Sequence, residues 1–371
     1  RQRWPVPLIV KFGGPDGVSE RRVLLDDVQA AVTLPAAHWY FPNGGATGFY
    51  RFTMDDASLS ALVRQVQEAL APHERLLLID NQWALLRAGV VSIEQLLALC
   101  DGYRDETDRA VVSTLADQLA WLSTHVVNDE ARPRFERFVE AYYRTQFGAL
   151  GWDPRPDEPV DERMKRAAVI GAMGGIARVQ SVRAEARERL EQYLAERTSL
   201  DPNLASVVAG LAARDGDAAL YDRYREHQRS AANDPEEEHR FLLALAAFEL
   251  PELIQRTLDL AVSADVRAQD RTFLLAGLLG RRASRLTAWA FVRDRWDQLA
   301  ALMDPMLLQG LIRALAQLTP EPTATQVRIF LAPHATDETR ETVAQVTEQL
   351  AIDAATVARL RPTLAAALPR G

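Results

Sequence analysis

The sequence has a single cysteine among its 371 residues. Cys100 has no possible disulfide partner within the chain, so a reducing, cytoplasmic setting is the expectation. Lysine is nearly absent. Lys11 and Lys165 stand alone, and all but two of the 43 basic residues are arginine. That usage, with abundant Ala and Leu, points to a GC-rich bacterial genome. It also means that an isolated arginine carries little functional information here. Positive charge is not in excess. A formal net charge of -8 argues against a nucleic-acid partner and against an anionic membrane surface. No apolar run approaches the length of a membrane span. No signal-peptide pattern is visible, and the chain opens on Arg1, so the natural start is expected upstream.

Metal-ligating residues are equally sparse. A zinc peptidase helix needs two histidines one turn apart, so that both nitrogens reach one ion, with a glutamate as base. "HERLL" (73–77) begins that way, but Leu77 stands where the second histidine must be. "EEEHR" (236–240) has suitable residue types without the spacing. The other histidines, 38, 125, 227 and 334, form no pair at ligand spacing. No metal site and no catalytic residue is therefore expected in this chain.

What the sequence does contain is a short β-like segment followed by a long helical one. "WPVPLIVKF" (4–12), "RRVLLDDVQAAVTL" (21–34), "HWYF" (38–41) and "FYRFTM" (49–54) read as strands, with a turn at "GGPDG" (13–17). From Ser58 the apolar spacing becomes helical. "SLSALVRQVQEAL" (58–70) and "SIEQLLALC" (92–100) each begin at a serine cap, and "RLLLIDNQWALLRAG" (75–89) ends at Gly89. Breaks follow at "GWDPRPDEPVD" (151–161), "SLDPN" (199–203), "RDGD" (214–217), "NDPEEE" (233–238), "MDP" (303–305) and "TPEPT" (319–323). They separate about fifteen short helices, the texture of an α-solenoid, although no fixed repeat period emerges.

"AWAFVRDRWDQL" (288–299) tests that reading, because two tryptophans and a phenylalanine share it with four charged residues. As one helix, Leu286, Trp289, Val292, Trp296, Leu299 and Met303 fall on one stripe, with Arg293 and Asp297 as an i,i+4 pair off it. The spacing predicts a core-facing helix. The mixture of acids with the arginines argues against a membrane-seeking one.

That stretch resembles a segment near the end of the aminopeptidase N and oxytocinase-type zinc aminopeptidases, of the form A-W-x-F-[VL]-R-x-x-W-[DN]-x-L. Ala288, Trp289, Phe291, Val292, Arg293, Trp296, Asp297 and Leu299 carry the match, with Gly280 and Arg281 just before it. Three more stretches fall in the family's order. "WPVPL" (4–8) resembles its W-x-[IV]-P-[IL] strand. "NGGATGFYRFTMD" (43–55) resembles its G-[YF]-Y-R strand through Gly48, Phe49, Tyr50 and Arg51, with Met54 replacing the final tyrosine. Residues 75–99 resemble its next helices through Arg75, Asp80, Leu85, Gly89 and Ser92. "GAMGG" (171–175) is a poor copy of the family's G-x-M-E-N substrate loop. Gly174 and Gly175 replace the functional pair, and the string lies on the wrong side of "HERLL".

The resemblance implies a mostly α fold, a HEAT/armadillo-like α–α superhelix. Residues 1–56 would be the C-terminal part of a β-sandwich, expected to be incomplete, and residues 57–371 the superhelix. It implies the noncatalytic C-terminal region of a zinc-dependent aminopeptidase, inactive alone. Zinc and the catalytic residues would lie in an N-terminal catalytic domain, which becomes the expected partner together with peptide substrates. The helical region would close over that domain and shape a chamber. Arg281 is the candidate peptide-binding residue, since the family places an arginine at this turn facing the cavity. The competing role for Arg281 is to satisfy the carbonyls ending the preceding helix. Arg51 and Arg75 are expected to pack and pair within the fold, with Asp80 the nearest plausible partner for a buried arginine. The alternative to the whole reading is a stand-alone helical-repeat scaffold that binds a protein or peptide on its concave face.

Overall fold

A computed structural model describes residues 4–231 and 233–369. The first elements are β1 (Val6–Gly14) and β2 (Gly17–Leu25), an antiparallel hairpin closed by Pro15 and Asp16. Gly17 has φ 95°, a left-handed conformation that favours glycine. β3 (Trp39–Phe41) pairs with the other edge of β1, giving the order β2-β1-β3. The predicted strand over 21–34 thus stops at Leu25. Two aspartates follow, and the Asp27 side chain accepts the Val28 N–H, a local bond that competes with a ladder.

"FYRFTM" is not a strand. Its backbone partner is a side chain: Phe52 N–H donates to Asn81 Oδ1 at 3.1 Å, and Asn81 Nδ2 donates to Phe52 O at 2.8 Å. One buried amide takes the part of one rung of a neighbouring strand. The sheet is fixed to the helices in a similar way. Lys11 Nζ donates to Glu74 at 2.8 Å, and the same carboxylate accepts the N–H groups of Gly45 and Ala71.

The helices begin with α1 (Asp56–Val63) and α2 (Val66–Ala69), where one helix over 58–70 was predicted. The backbone breaks at Gln65, and the cap is Asp55, which accepts the Ser58 N–H at 2.9 Å. Ser58 instead uses its hydroxyl to accept the Tyr40 N–H, tying β3 to α1. α3 (Pro72–Ala88) ends as predicted at Gly89, with φ 76°. α4 (Ile93–Asp101) starts as predicted at Ser92, which exchanges side-chain bonds with Gln95 in a capping box.

Beyond α4 the helices alternate between two layers. One layer holds α5 (Arg109–Trp121), α7 (Val160–Gly171), α9 (Pro202–Arg214), α11 (Pro235–Ala244), α13 (Ala268–Leu279), α16 (Pro305–Ala314) and α18 (Arg340–Ala367). Each packs on the next in that order, and α5 packs back on α3. The other layer holds α6 (Arg132–Leu150), α8 (Gln180–Ala195), α10 (Ala218–Ser230), α12 (Pro251–Ala261), α14 (Arg285–Asp294), α15 (Trp296–Ala301) and α17 (Thr323–His334). Three of the predicted breaks share one device. Asp201, Asp234 and Asp304 cap their helices through side-chain bonds to Asn203, Glu237 and Leu307 N–H, and proline occupies the first turn each time.

The tryptophan stretch is two helices, broken at Arg295 with φ -119° and ψ 24°. The apolar stripe survives the break with one exception. Trp289, Val292, Trp296, Leu299 and Met303 are buried, whereas Leu286 is 61% exposed. The predicted Arg293–Asp297 pair does not form, and Arg293 bonds the adjacent Asp294 at 2.8 Å.

The solenoid closes on itself, because α18 packs against α3 as well as α16. Arg87 Nε donates to Asp353 at 3.1 Å, Thr356 Oγ1 donates to Arg87 O at 3.2 Å, and Arg359 donates to Leu86 O. The core is one continuous cluster from Trp39 and Phe41 to Leu368. Among the described residues no helix is long and apolar enough to cross a membrane.

Candidate functional site

Four helices of the first layer, α5, α7, α9 and α13, send their C-terminal ends to one place. There they surround a hollow of about 480 Å³. α5 runs into a π-turn at Leu122–Val126, and α7 runs into another at Ala172–Ile176, the "GAMGG" stretch. α9 ends at Arg214 and α13 at Leu279, with Gly280 as its cap. Helix C-termini carry carbonyls without intrahelical partners and a partial negative charge, and π-turns are frequent at functional sites.

Arginine answers those carbonyls. Arg132 Nη2 donates to Val127 O at 3.1 Å and to Ser123 O at 3.4 Å. Arg285 Nη1 donates to Thr124 O at 3.0 Å, and Arg361 Nη2 to His125 O at 2.9 Å. Across the hollow, Arg183 Nε donates to Gly174 O at 3.0 Å and Arg214 Nη1 to Gly175 O at 2.8 Å. Burial lowers the pKa of Arg214 to about 10, with Arg281 adding like-charge repulsion. Burial likewise lowers those of Arg132 and Arg285.

Arg281 lies in this hollow, half-buried, and differs from these arginines. Its guanidinium has no hydrogen-bond or ion-pair partner among the described residues. It does not cap the preceding helix. The Ser284 hydroxyl takes that role, donating to Leu278 O at 2.6 Å. Protein surrounds Arg281 closely enough that burial lowers its pKa, and Glu249 partly opposes that shift. Glu249 also stands 3.9 Å from Arg178, while Arg282 pairs with Asp129 at 2.6 Å at the exposed rim. The hollow therefore presents a fork of donors that no protein group takes among the described residues, in an arginine-rich recess. It suits a carboxylate, which a guanidinium binds through two parallel bonds.

The sequence offered Arg281 as a candidate and gave no reason to single out Arg178, Arg214 or Glu249, which line the same hollow. In a chain where arginine is the ordinary basic residue no single arginine stands out. A usable signal was the recurrence of small residues followed by arginine at helix ends, in "GGIAR" (174–178), "AARDG" (212–216) and "LLGRR" (278–282). The other expected arginine roles are met with different partners. Asp80 pairs with Arg51 at 2.6 Å, both half-exposed. The buried arginine, Arg75, pairs instead with Glu106, at 2.7 Å through each of two nitrogens.

"HERLL" is a structural segment. Glu74 is buried and committed to Lys11 and two backbone N–H groups, which hold its carboxyl below the ordinary range against the opposing effect of burial. These residues do not fit a zinc ion. Cys100 is buried, and its thiol is pushed up to about 12 by that burial, so it is not a reactive thiolate. The purified chain is expected to hold no stoichiometric zinc and to leave aminoacyl-arylamides intact. Elemental analysis after dialysis and a chromogenic assay check this, and one tightly held zinc per chain would contradict it.

A family model, the ERAP1-like C-terminal domain, matches residues 39–352. The chain is similar to Aminopeptidase M1 of Arabidopsis thaliana, 28% identical over 335 residues, covering 85% of this chain and 37% of that protein. It is similar to the Alanine/arginine aminopeptidase of Saccharomyces cerevisiae, 24% identical, covering 97% of this chain and 42% of that protein. It is also similar to the Puromycin-sensitive aminopeptidase of Caenorhabditis elegans, 22% identical, covering 78% and 31%. The chain thus spans well under half the length of these relatives. They are plant, yeast and nematode proteins, so the bacterial origin expected from arginine usage finds no support in them.

Proposed function

The chain belongs to the ERAP1-like C-terminal domain family, and on that premise we propose that it is the noncatalytic, peptide-holding region of a zinc-dependent aminopeptidase. The observation that carries this reading is the arginine-rich hollow with Arg281 free inside it. Peptide hydrolysis from the N-terminus needs a metal, a base and an anchor for the amine. In this reading zinc and those groups belong to an N-terminal catalytic domain, the natural partner of this chain. What this chain adds is positioning and exclusion. The helical wall closes over the catalytic domain and makes a chamber that admits peptides and rejects folded proteins. Arg281 meets a carboxylate of the peptide at a distance from its N-terminus.

The closed path of helices supports this role, since a wall tied end to end by Arg87, Asp353 and Thr356 keeps its curvature. In the full-length enzyme, Arg281→Ala is expected to lower kcat/KM for peptides several residues long by about tenfold or more, the range of a lost charge-assisted bond. Single-residue chromogenic substrates, too short to reach the hollow, are expected to keep their kcat/KM. Parallel loss for both substrate classes would assign Arg281 to the fold. Unchanged kinetics for both would make it one more surface arginine.

A further inference from the structure

Most charged residues of the hollow have a structural assignment. Arg132 and Arg214 bond helix-end carbonyls, and Arg282 bonds Asp129. Two guanidinium groups and one carboxylate remain: Arg178, Arg281 and Glu249. Glu249 follows the turn Leu245–Ala247 that ends α11, and its side chain is one-third exposed. It makes no hydrogen bond among the described residues and approaches Arg178 only to 3.9 Å. It acts electrostatically on Arg281 and Arg214, raising the pKa of each against the effect of burial. Arg178 is itself unusual, with φ 56° two residues after the second π-turn. A non-glycine residue in that region costs free energy, and such strain concentrates at functional sites.

We propose that Glu249 is a built-in competitor for the ligand's carboxylate, facing Arg178 and Arg281 when the hollow is empty. This rests on the reading that the hollow receives a peptide carboxylate. A carboxylate 3.9 Å from Arg178 and without a bond to Arg281 among the described residues compensates charge without taking the donors, so they stay available. An incoming carboxylate can form the short bidentate bonds that Glu249 does not, and it must do so against the field of Glu249. A neutral end, such as a carboxamide, has neither the attraction to the two guanidinium groups nor the repulsion from the glutamate. Glu249 therefore limits the affinity for free-acid peptides and lets them leave, and it has little effect on amidated ones.

The test measures binding of fluorescein-labelled peptides of neutral side chains, as free acid and as C-terminal amide, to the 371-residue chain and its variants. Glu249→Gln is expected to tighten the free acid by about threefold to tenfold, as removal of a partly screened like charge should, and to leave the amide unchanged. Glu249→Asp, which keeps the charge, is expected to stay near wild type, and Arg178→Gln to weaken the free acid. Thermal melting of each variant confirms folding. A misplaced strut would loosen binding, whereas a competitor tightens it, so the sign separates the two. Unchanged or weaker free-acid binding in Glu249→Gln, with wild type still preferring the free acid, would overturn this proposal and leave the reading of the hollow standing. Equal binding of acid and amide by wild type would overturn both.

Discussion

Trp296→Ala is expected to destabilise the chain by about 3–5 kcal/mol, the usual cost of truncating a buried tryptophan. Trp296 is 6% exposed and Trp289 is 3% exposed, and they sit on opposite sides of a helix break. Both rings meet Phe330 of α17 edge-on, with centroids 5.3 Å away in each case, and Trp296 also meets His334 at 5.4 Å. Phe330 is thus shared, and the second layer is stitched through it. Loss of either indole leaves a cavity beside Phe330, so the double variant is expected to cost less than the sum of the single ones. Trp289→Phe is expected to cost less than Trp289→Ala, because the indole N–H has no acceptor among the described residues and little is lost with it. Urea midpoints at constant slope measure all four. A cost within about 0.5 kcal/mol, typical of surface positions, would place these rings outside the core.

Arg75→Ala is expected to cost a similar amount, about 3–5 kcal/mol, for a different reason. The variant would leave the Glu106 carboxylate buried without its counter-charge. In the native chain Arg75 donates to both oxygens of Glu106 at 2.7 Å and to Leu70 O at 2.8 Å. Glu106 also accepts the N–H groups of Thr107 and Asp108. Burial alone would raise the Glu106 pKa, but the bond from Arg75, then the Asp108 N–H, outweigh it and hold the carboxyl below its ordinary value of 4.5. The sign for stability follows. A depressed folded-state pKa contributes stability that is fully present above the unfolded value, near 4.5. That contribution is lost as pH falls from there through the depressed value. Glu106→Gln is expected to flatten this acid limb, and Arg75→Met with Glu106→Leu to recover most of the stability lost in Arg75→Ala. Melting temperatures from pH 3 to pH 7 read it out. A wild-type acid limb in Glu106→Gln would assign the loss to other carboxylates.

How far the sequence could be read depends on the range of each interaction. Gly89 and the Ser92 box are local, because a left-handed cap and an i,i+3 exchange are set by a few adjacent residues, and both appear where predicted. The tryptophan stripe is nearly as local. It failed only at Leu286, in the first turn of α14, where no neighbouring element covers it, and at the Arg295 break. "FYRFTM" shows the opposite limit. Alternation predicted a strand, but a strand exists only with a partner, and Asn81 supplied one rung in place of a ladder. Arg75 was read as paired, and its partner was missed because Glu106 lies 31 residues on and reaches it only after α3 and α5 pack. The hollow is the least legible part. It is made by ends of helices distant in sequence, and Arg178, Arg214, Glu249 and Arg281 belong together only once those ends converge.

The central claim is that this hollow recognises a peptide by a carboxylate and that Arg281 provides the recognition. The most direct measurement is the affinity of the 371-residue chain for one neutral-sequence peptide as free acid and as C-terminal amide, in wild type and in Arg281→Ala. The account predicts tighter binding of the free acid by wild type, by about tenfold, the worth of a charge-assisted bond. In Arg281→Ala that preference is expected to lose its larger part, with Arg178 leaving a remainder, while the melting temperature holds. A free-acid preference undiminished in Arg281→Ala, or equal binding of acid and amide by wild type, would contradict it.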